Sequence, residues 1–580
     1  MAESLISPGV LSREQDRSFL PPAPLEAGAA FIGPTVIGPV EEPTVVTSYG
    51  AYQRKFGTTF ASGSNKYEFL TSLAVKSYFE QGGNSALITR VVNGSFTGAS
   101  NSTIAAADGG AAPFSIQTLG KGAILNTSLG AGDPGVQNSD GSLKSGSADN
   151  IRWEIANVDS ANGTFSLIIR RGDDNLSQKT VLESFNDLSL DPNSEGYISK
   201  IIGDQFKTKA SDGSSTYIST VGSYVNRSNY IRVSAVDRQT LNYLSTDGLS
   251  VSDASYTGSL PVASSGSFYG ASGELYKSDA ANNMFSDISN ANTQGLVATD
   301  YADAISILTN EDEYVFNIVS APGLIYSFGD HKTQLDSLIS LASDRGDNIA
   351  VIDASPYGTS VSNAAGNAAS VNSSYAATYW PWLQMATSTG KLEFVPASVV
   401  IPGVYTFTDS AAAPWFAPAG LTRGGIPNVI QAERKVTRSQ RDTLYAANVN
   451  PIATFPGSGI SVFGQKTLQK KKSALDRVNV RRLLIDLKKF LGDQAKTLVF
   501  EQNTIATRNT FLANVNPYLE SVVQRQGLFA YRVVMDDTNN TADVIDRNQL
   551  VGQIFIQPAK TAEFITLDFV IQPTGATLGE

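Results

Sequence analysis

The amino-acid sequence predicts a multidomain protein of mixed α/β class that carries a β-rich inserted domain. The chain has 580 residues, which is long enough for about three to four domains. After residue 284, the stretches YVFNIVSAPG, TQLDSLISLASDRG and NIAVIDASP alternate between strand and helix patterns. This alternation predicts parallel strands in a sheet that helices cover.

Residues 1–92 predict an arm followed by the first part of the sheet. Residues 1–24 contain Pro8-Gly9, Pro21-Pro22 and few apolar side chains, so we expect them to be frayed or docked as an edge strand on another molecule. The stretch AAFIGPTVIGPVEEPTVVTS predicts strand, turn and strand. The next stretch, NKYEFLTSLAVKSYFEQGG, predicts a helix that ends at Gly82-Gly83.

Residues 93–283 differ in composition from both flanks. They are rich in Gly, Ser, Asn, Thr and Asp, and they contain a hairpin pattern around Asn162-Gly163. We predict an inserted β-rich domain, and a disordered linker is the alternative. The predicted division is an N-terminal arm at 1–24, the first part of the core at 25–92, the insertion at 93–283, the α/β part of the core at 284–430, a C-terminal domain at 431–560 and a C-terminal arm at 561–580.

The composition argues against catalytic and metal chemistry. The chain has no cysteine and one histidine, His331, which excludes thiolate sites and multi-histidine metal sites. We expect His331 to cap a helix or lie at the surface. Gln465 separates Gly464 from Lys466 in the nearest match to a phosphate-binding loop, so nucleotide binding is not expected. We predict no catalytic, cofactor-binding or metal-binding residue.

The N-terminus shows no signal-peptide pattern, and no stretch has the length and apolar character of a membrane span. We therefore expect a protein that is made and kept in a cytoplasm.

The charge is distributed unevenly along the chain. The net charge is −11, which disfavours binding to nucleic acid. Residues 433–489, however, contain 13 Lys/Arg and 4 Asp/Glu. A basic segment on an otherwise acidic chain suggests an acidic partner, or identical subunits that meet head to tail.

Within this basic segment, SALDRVNVRRLLIDLKKFLG predicts an amphipathic helix. Val480, Leu483, Leu484, Leu487, Phe490 and Leu491 fall on one stripe, which predicts the buried face. The cations fall on the opposite side together with Val478 and Ile485, which predicts a basic and apolar contact surface; a solvated charged face is the alternative. The predicted contact residues are Lys470, Lys471, Lys472, Arg477, Arg481, Arg482, Lys488 and Lys489.

The C-terminal stretch EFITLDFVI predicts a half-buried strand. Ile565, Leu567, Phe569 and Ile571 alternate with polar residues. Such a strand pairs either within its own domain or with the sheet edge of a neighbouring molecule.

Several of these motifs occur together in one known family. They are SPGV at 7–10, FIGPTVIGPVEEPTVVTS with Phe56-Gly57, QGGNSALITRV at 81–91, PWFAPAGLTRGGI at 414–426, LDRVNVRRLLIDLKKFL, NPYLESVVQRQGLFAYRVVMD and FIQPAKTAEFITLDFVI. In this combination and order, the chain resembles contractile phage tail sheath proteins, which are related to the pyocin and type VI secretion sheaths.

The resemblance implies a structural protein of the virion with a tail-sheath core. Subunits of that family form stacked hexameric rings around a tail tube and exchange N- and C-terminal arms with their neighbours. They contract from a metastable extended state, and the variable insertion faces outward. The implied partners are further copies of the chain, the tail tube protein, and baseplate and tail terminator proteins, with no direct nucleic-acid contact and no membrane insertion. A surface-layer or adhesin-like structural protein and an enzyme that uses the α/β sheet are the alternatives.

The resemblance also implies roles for individual residues. It places the basic helix in a C-terminal domain near the tube, where Arg525 is a rival tube contact. Val10 and Leu11 belong to the N-terminal arm strand, and Ile565, Leu567, Phe569 and Ile571 belong to the C-terminal arm strand. We expect Trp415 to pack and Arg423 to anchor domains or subunits, with purely structural burial as the alternative.

Overall fold

The computed structural model describes residues 25–62, 65–128, 137–213, 216–244, 254–275 and 287–566. The elements before the predicted insertion are β1 (Leu25–Gly33), β2 (Thr44–Val46), α1 (Tyr49–Phe56), β3 (Thr59–Ser62), β4 (Asn65–Glu68), α2 (Leu70–Glu80) and β5 (Ala86–Arg90). The helix predicted to end at Gly82-Gly83 is α2, which ends at Glu80.

The predicted insertion folds as two four-stranded sheets that share one apolar core. The sheet orders are β10-β9-β8-β14 and β13-β7-β6-β15, and Trp153 of one sheet packs in the same core as Ile116 of the other. Its elements are β6 (Ser100–Asn101), β7 (Phe114–Thr118), β8 (Ile151–Asp159), β9 (Thr164–Arg171), β10 (Val181–Ser189), α3 (Ile198–Ile202), β11 (Phe206–Ser211), β12 (Thr216–Val221), β13 (Ile231–Val236), α4 (Ala254–Thr257), β14 (Ser264–Gly266) and β15 (Phe268–Tyr269).

The central part of the chain supplies most of the largest sheet. Its elements are β16 (Ile288–Ser289), β17 (Asn292–Thr293), α5 (Tyr301–Ile307), β18 (Tyr314–Ile325), α6 (Gly329–Arg345), β19 (Ile349–Asp353), α7 (Val361–Ala368), β20 (Ala376–Trp380), β21 (Leu383–Ala386), β22 (Leu392–Val395), α8 (Ile401–Ala411), α9 (Gly420–Arg423), β23 (Val429–Ala432), α10 (Arg438–Ala446), β24 (Asn450–Phe455) and β25 (Gly459–Val462).

The last part of the described chain forms a small helical domain with one hairpin. Its elements are α11 (Val478–Lys496), α12 (Ile505–Gln524), β26 (Leu528–Val534), α13 (Ala542–Asp546) and β27 (Gln553–Pro558).

An eight-stranded sheet joins the segments on both sides of the insertion. Its order is β2-β5-β1-β18-β19-β20-β24-β25, with parallel pairs from β5 to β24 and one antiparallel strand at each end. Successive residues of β1, Phe31 and Ile32, enter two different apolar cores, because strand side chains alternate between faces. The predicted mixed α/β class is confirmed.

The predicted domain boundary at 430/431 does not match this sheet. β24 and β25 lie beyond that boundary, yet they extend the central sheet to Val462. The basic residues begin near this position, but charge marks the surface of a domain rather than the sheet in which a strand pairs.

His331 lies in the interior, so the expected surface position is wrong. It is 0% exposed, and its Nδ1 accepts a hydrogen bond from the backbone N–H of Ile325 at 3.1 Å. Burial lowers the pKa of His331 to about 4, so the imidazole is neutral at neutral pH and serves as a packed acceptor.

Arg90 at the end of β5 joins the central sheet to the insertion. The side chain is 0% exposed, and its guanidinium donates to the carbonyl oxygens of Gly38 and Lys121, both at 2.7 Å, and of Val36 at 3.3 Å. The same group lies 5.2 Å from the centre of the Phe96 ring. Burial lowers the pKa of Arg90 to about 9, which leaves the group charged at neutral pH, so backbone carbonyls from both sides of the joint stabilise a cation.

We expect Arg90→Met to lower the free energy of unfolding by about 3 kcal/mol, because buried carbonyl oxygens lose their donor. Denaturant unfolding of the full chain measures the change. Arg54→Met, at an exposed position on α1, is the matched control and should change stability by less than about 0.5 kcal/mol. Equal effects of the two substitutions would contradict the role of Arg90 as the joint.

Candidate contact surface of the C-terminal domain

Helix α11 lies between two apolar cores. Leu483 and Leu487 pack in the core of the C-terminal domain, as predicted for the apolar stripe. Val478 and Ile485, however, pack in a core of the central sheet and are 0% and 4% exposed. The expected accessible face on which these two residues alternate with cations is therefore wrong, because the helix is buried on both sides.

Arg482 is buried against the central domain. Its guanidinium is 2.5 Å from a carboxylate oxygen of Asp409 on α8 and lies 4.8 Å from the centre of the Tyr405 ring. Burial raises the pKa of Asp409, although the Arg482 charge opposes this shift. The ion pair fixes α11 against α8 within one chain.

Arg481 is also buried, on the neighbouring side of the helix. It stacks on the Tyr375 ring at 3.9 Å from the ring centre and donates to the Ser374 hydroxyl at 2.5 Å. Lys488, two turns further along α11, donates to the Tyr375 hydroxyl at 3.1 Å and remains exposed. Arg481 and Arg482, each 4% exposed, therefore face the chain itself and not a surface open to a partner.

Arg477, immediately before α11, is half-buried and holds the segment that follows β27. It makes a two-pronged ion pair with Glu563, at 2.7 and 2.9 Å. Residues 561–563, which the sequence assigned to the C-terminal arm, are thus bound to their own chain.

The remaining predicted cations lie nearer to solvent. Lys470, Lys471 and Lys472 are exposed in the loop before α11, and Lys489 is half-buried. Arg525 is exposed at the end of α12 and lies 4.7 Å from the centre of the Trp415 ring.

Trp415 and Arg423 have different surroundings. Trp415 is 6% exposed, packs in the core of the C-terminal domain and donates from its ring nitrogen to the Arg525 carbonyl at 3.0 Å. Arg423 is half-buried, donates to the Ala417 carbonyl at 3.3 Å and lies over the Phe416 ring at 5.0 Å. Trp415 thus links the C-terminal domain core to the end of α12, whereas the bonds described for Arg423 join it to its own local segment.

Most of the predicted arm strands lie outside the described residues. This holds for Val10, Leu11, Leu567, Phe569 and Ile571. Ile565 is described, lies outside any strand and is 78% exposed.

The hairpin β26–β27 is a two-stranded sheet with no further strand among the described residues. One face packs on α12 through Tyr531, Val533, Ile554 and Ile556. The other face exposes Phe529 by 70% and Phe555 by 57%. An isolated pair of strands is marginally stable, so both edges and the face that exposes these two phenylalanines are suited to a further partner.

The described residues hold no cluster of three or more potential metal ligands. None of their helices combines the length and apolarity needed to cross a bilayer.

A fold with this division is known among phage tail proteins. A sheath tail protein from Listeria innocua superposes with a TM-score of 0.52 at 9% identity, over 92% of this chain and 95% of that chain. Residues 294–468 match the phage tail sheath protein central domain, and residues 470–572 match the phage tail sheath C-terminal domain. Over these two domains, the chain is similar to phage tail sheath proteins.

Curated tail sheath proteins are also similar to this chain in sequence. The tail sheath protein of Vibrio phage KVP40 is 42% identical over 187 residues, which cover 32% of this chain and 28% of that protein. The tail sheath protein of Salmonella phage ViI is 28% identical over 318 residues, which cover 50% of each. The matched stretches thus span half or less of these relatives.

Sequence reasoning missed the partners that bury the cations. Tyr375, Asp409 and Glu563 come from three distant parts of the chain, and no spacing connects them to α11. The sequence offered one signal of this burial, which is the density of arginine next to two β-branched residues. That pattern is compatible with burial between two cores and also with an exposed contact surface.

We expect Arg482→Met to reduce stability more at pH 7.5 than at pH 4. Without the guanidinium, the buried Asp409 carboxylate is unpaired, so its already raised pKa rises further. A group whose pKa is raised by folding contributes stability below its unfolded pKa and loses it as pH rises through the folded pKa. The loss should reach about 3 kcal/mol at pH 7.5, measured by denaturant unfolding at several pH values.

Arg438→Met, at an exposed position at the start of α10, is the control for this measurement. It should produce a small loss that does not depend on pH. A pH-independent effect of Arg482→Met would show that the ion pair with Asp409 is not what Arg482 contributes.

Proposed function

We propose that this chain is the structural subunit of a contractile phage tail sheath. It polymerises as stacked hexameric rings around the tail tube and contracts to drive the tube through the host envelope. The two family domains, which adjoin between residues 468 and 470, carry the proposal and favour it over a surface-layer or adhesin-like protein. The protein acts mechanically rather than as an enzyme and uses no cofactor.

The two-stranded sheet β26–β27 supports an exchange of strands between subunits. It has two free edges among the described residues, and its outer face exposes Phe529 and Phe555. An extended segment of another copy would add a strand through main-chain hydrogen bonds. We propose that the arms containing Val10, Leu11, Leu567, Phe569 and Ile571 are the donated segments.

Contraction in this proposal is a change of packing between near-rigid subunits. The lower free energy of the contracted lattice, summed over many copies, supplies the work. The buried ion pair of Arg482 and the stacking of Arg481 support rigidity, because they fix the C-terminal domain to the central sheet.

The exposed part of the basic segment is the proposed contact with an acidic tube or a neighbouring subunit. Arg481 and Arg482 are buried, so we remove them from the proposed contact surface. The proposed contact residues are then Lys470, Lys471, Lys472, Lys488 and Lys489, and Arg525 is the alternative tube contact. Baseplate and tail terminator proteins are the further proposed partners, and assembly occurs in the host cytoplasm before the sheath becomes part of the virion.

Loss of the donated strand and damage to its acceptor should both impair assembly. We expect the purified full-length chain to form tubes in negative-stain electron microscopy. Deletion of residues 567–580 should abolish the tubes, and the double substitution Phe529→Ser and Phe555→Ser should raise the concentration needed for assembly by at least about tenfold. Circular dichroism should show that both variants remain folded.

Val225→Ser is the matched control, because Val225 is 66% exposed in the insertion; it should assemble normally. Normal tubes from both the deletion and the double substitution would contradict strand exchange. Failure of the unaltered chain to polymerise under any tested condition would contradict the sheath function itself.

Reversing the charge of the lysine loop should weaken assembly on the tube. We expect the triple substitution of Lys470, Lys471 and Lys472 by Glu to slow tube-templated polymerisation, with a defect that shrinks as salt rises from about 50 mM to about 500 mM because salt screens exposed charges. Turbidity and microscopy, with and without tube, separate a tube contact from a contact between subunits.

Single substitutions make the matched comparison for this loop. Lys471→Glu should slow assembly, whereas Lys144→Glu, at an exposed position in the insertion, should not. Equal rates for the triple variant and the unaltered chain at every salt concentration would exclude an electrostatic role for the loop.

A further inference from the structure

The segment after β27 returns from the C-terminal domain to the central domain. Ala559 donates its backbone N–H to the Gly527 carbonyl at 3.1 Å, and the Thr561 hydroxyl accepts a hydrogen bond from the Gln465 side chain at 2.6 Å. Two residues later, Glu563 meets side chains that precede α11. The chain therefore completes its last hairpin and then binds back to residues that lie before the whole C-terminal domain in sequence.

Glu563 receives donors from three separate places. The Arg477 guanidinium binds both carboxylate oxygens, at 2.7 and 2.9 Å. The Tyr445 hydroxyl donates at 2.8 Å and the Gln465 amide at 3.1 Å. These four bonds join the end of α10, the segment after β25 and the start of α11 to one carboxylate. We call Tyr445, Gln465, Arg477 and Glu563 the carboxylate clasp.

The clasp is partly shielded from water. The side chain of Glu563 is 17% exposed and that of Arg477 is 23% exposed. Burial raises the pKa of Glu563, but the hydrogen bonds from Arg477 and Tyr445 outweigh burial and hold that pKa below its usual value. The carboxylate is therefore charged at neutral pH, and charged hydrogen bonds of this geometry are stronger than neutral ones.

The residues directly after the clasp are apolar and exposed. Phe564 is 83% exposed and Ile565 is 78% exposed, although both are large and apolar. Glu563 is thus bound to its own chain, whereas the large apolar side chains directly after it are exposed.

We propose that the carboxylate clasp is the fixed root of the C-terminal arm, so that the segment donated to a neighbour begins at Phe564. This inference rests on the proposed function and adds the residue at which the arm is anchored. Glu563 is a positioning residue: it sets the point and direction in which the following segment leaves the subunit. A load on the arm passes through Arg477 into α11 and the central sheet, not through the marginal hairpin β26–β27 alone.

The clasp also sets the length of the free connection. Breaking it frees residues 560–563, which extend the connection by up to about 13 Å at ~3.3 Å per residue. A longer flexible connection lowers the effective concentration of the strand at its acceptor. It also loosens the spacing between linked subunits.

Glu563→Gln tests the clasp in the soluble full-length chain. The substitution keeps size and shape and removes the charge. We expect trypsin cleavage after the exposed Lys560 to accelerate at least about fivefold, since cleavage requires the chain around the cleaved bond to open locally. Glu501→Gln, at an exposed position in the loop between α11 and α12, is the control and should not change this rate.

A double-mutant cycle identifies the partner. Arg477→Gln should accelerate cleavage after Lys560 as well, and the double variant should add little to either single effect, because both substitutions remove the same interaction. An unchanged cleavage rate in Glu563→Gln, or fully additive effects, would overturn the clasp.

Assembly separates this inference from the proposed function. If the unaltered chain forms tubes, we expect Glu563→Gln to form tubes whose axial rise varies more along their length, as measured by helical reconstruction. Tubes of unchanged regularity would overturn the positioning role of Glu563 while the sheath function stands. If the unaltered chain forms no tubes, the sheath function fails, and the cleavage experiment still decides whether the clasp exists.

Discussion

The burial of α11 on two sides is the constraint on which the rest of the structure depends. One side of the helix belongs to the core of the C-terminal domain through Leu483 and Leu487, and the other belongs to a core of the central sheet through Val478 and Ile485. A helix in this position must bring its arginines inside, and a buried cation requires a partner. Asp409 and the rings of Tyr375 and Tyr405 meet this requirement, so the two domains are locked by charge as well as by apolar contact.

The same principle operates at the other domain joint. Arg90 is enclosed between the central sheet and the insertion, where backbone carbonyls take the place of a carboxylate. Around it, the hairpin β11–β12 of the insertion reaches the core domain through ion pairs of Lys207 with Glu42 and of Lys209 with Glu41 and Asp303. These outer ion pairs are half-exposed, so each contributes little to the free energy of unfolding. Buried Arg90 is therefore the main polar contact that holds the insertion to the central sheet.

The sequence predicted the sheet and the insertion well because those features depend on local patterns. The strands β18 and β19 and helix α6 follow from alternating apolar runs, and the β-rich character of the insertion follows from a change in composition and one Asn-Gly turn. Residue periodicity could not reveal what α11 packs against, since a helical wheel shows which faces are apolar and not how many neighbours the helix has. The sites of Arg481, Arg482 and Glu563 depend on contacts between residues more than seventy positions apart, and a single sequence carries no record of such pairs.

The buried contacts between domains and the unpaired strand edges of this molecule have complementary roles. Cations are buried where the domains of one chain meet, which makes relative movement of those domains costly. Strand edges and large apolar side chains are left open at β26–β27 and after Glu563, where a partner can complete them. Main-chain hydrogen bonds between strands are insensitive to side-chain identity, so a strand link can persist while the subunits that it joins rotate. In the proposed sheath, a lattice built from such units would store its free-energy difference in the contacts between subunits, because the contacts within each subunit are too strongly coupled to change.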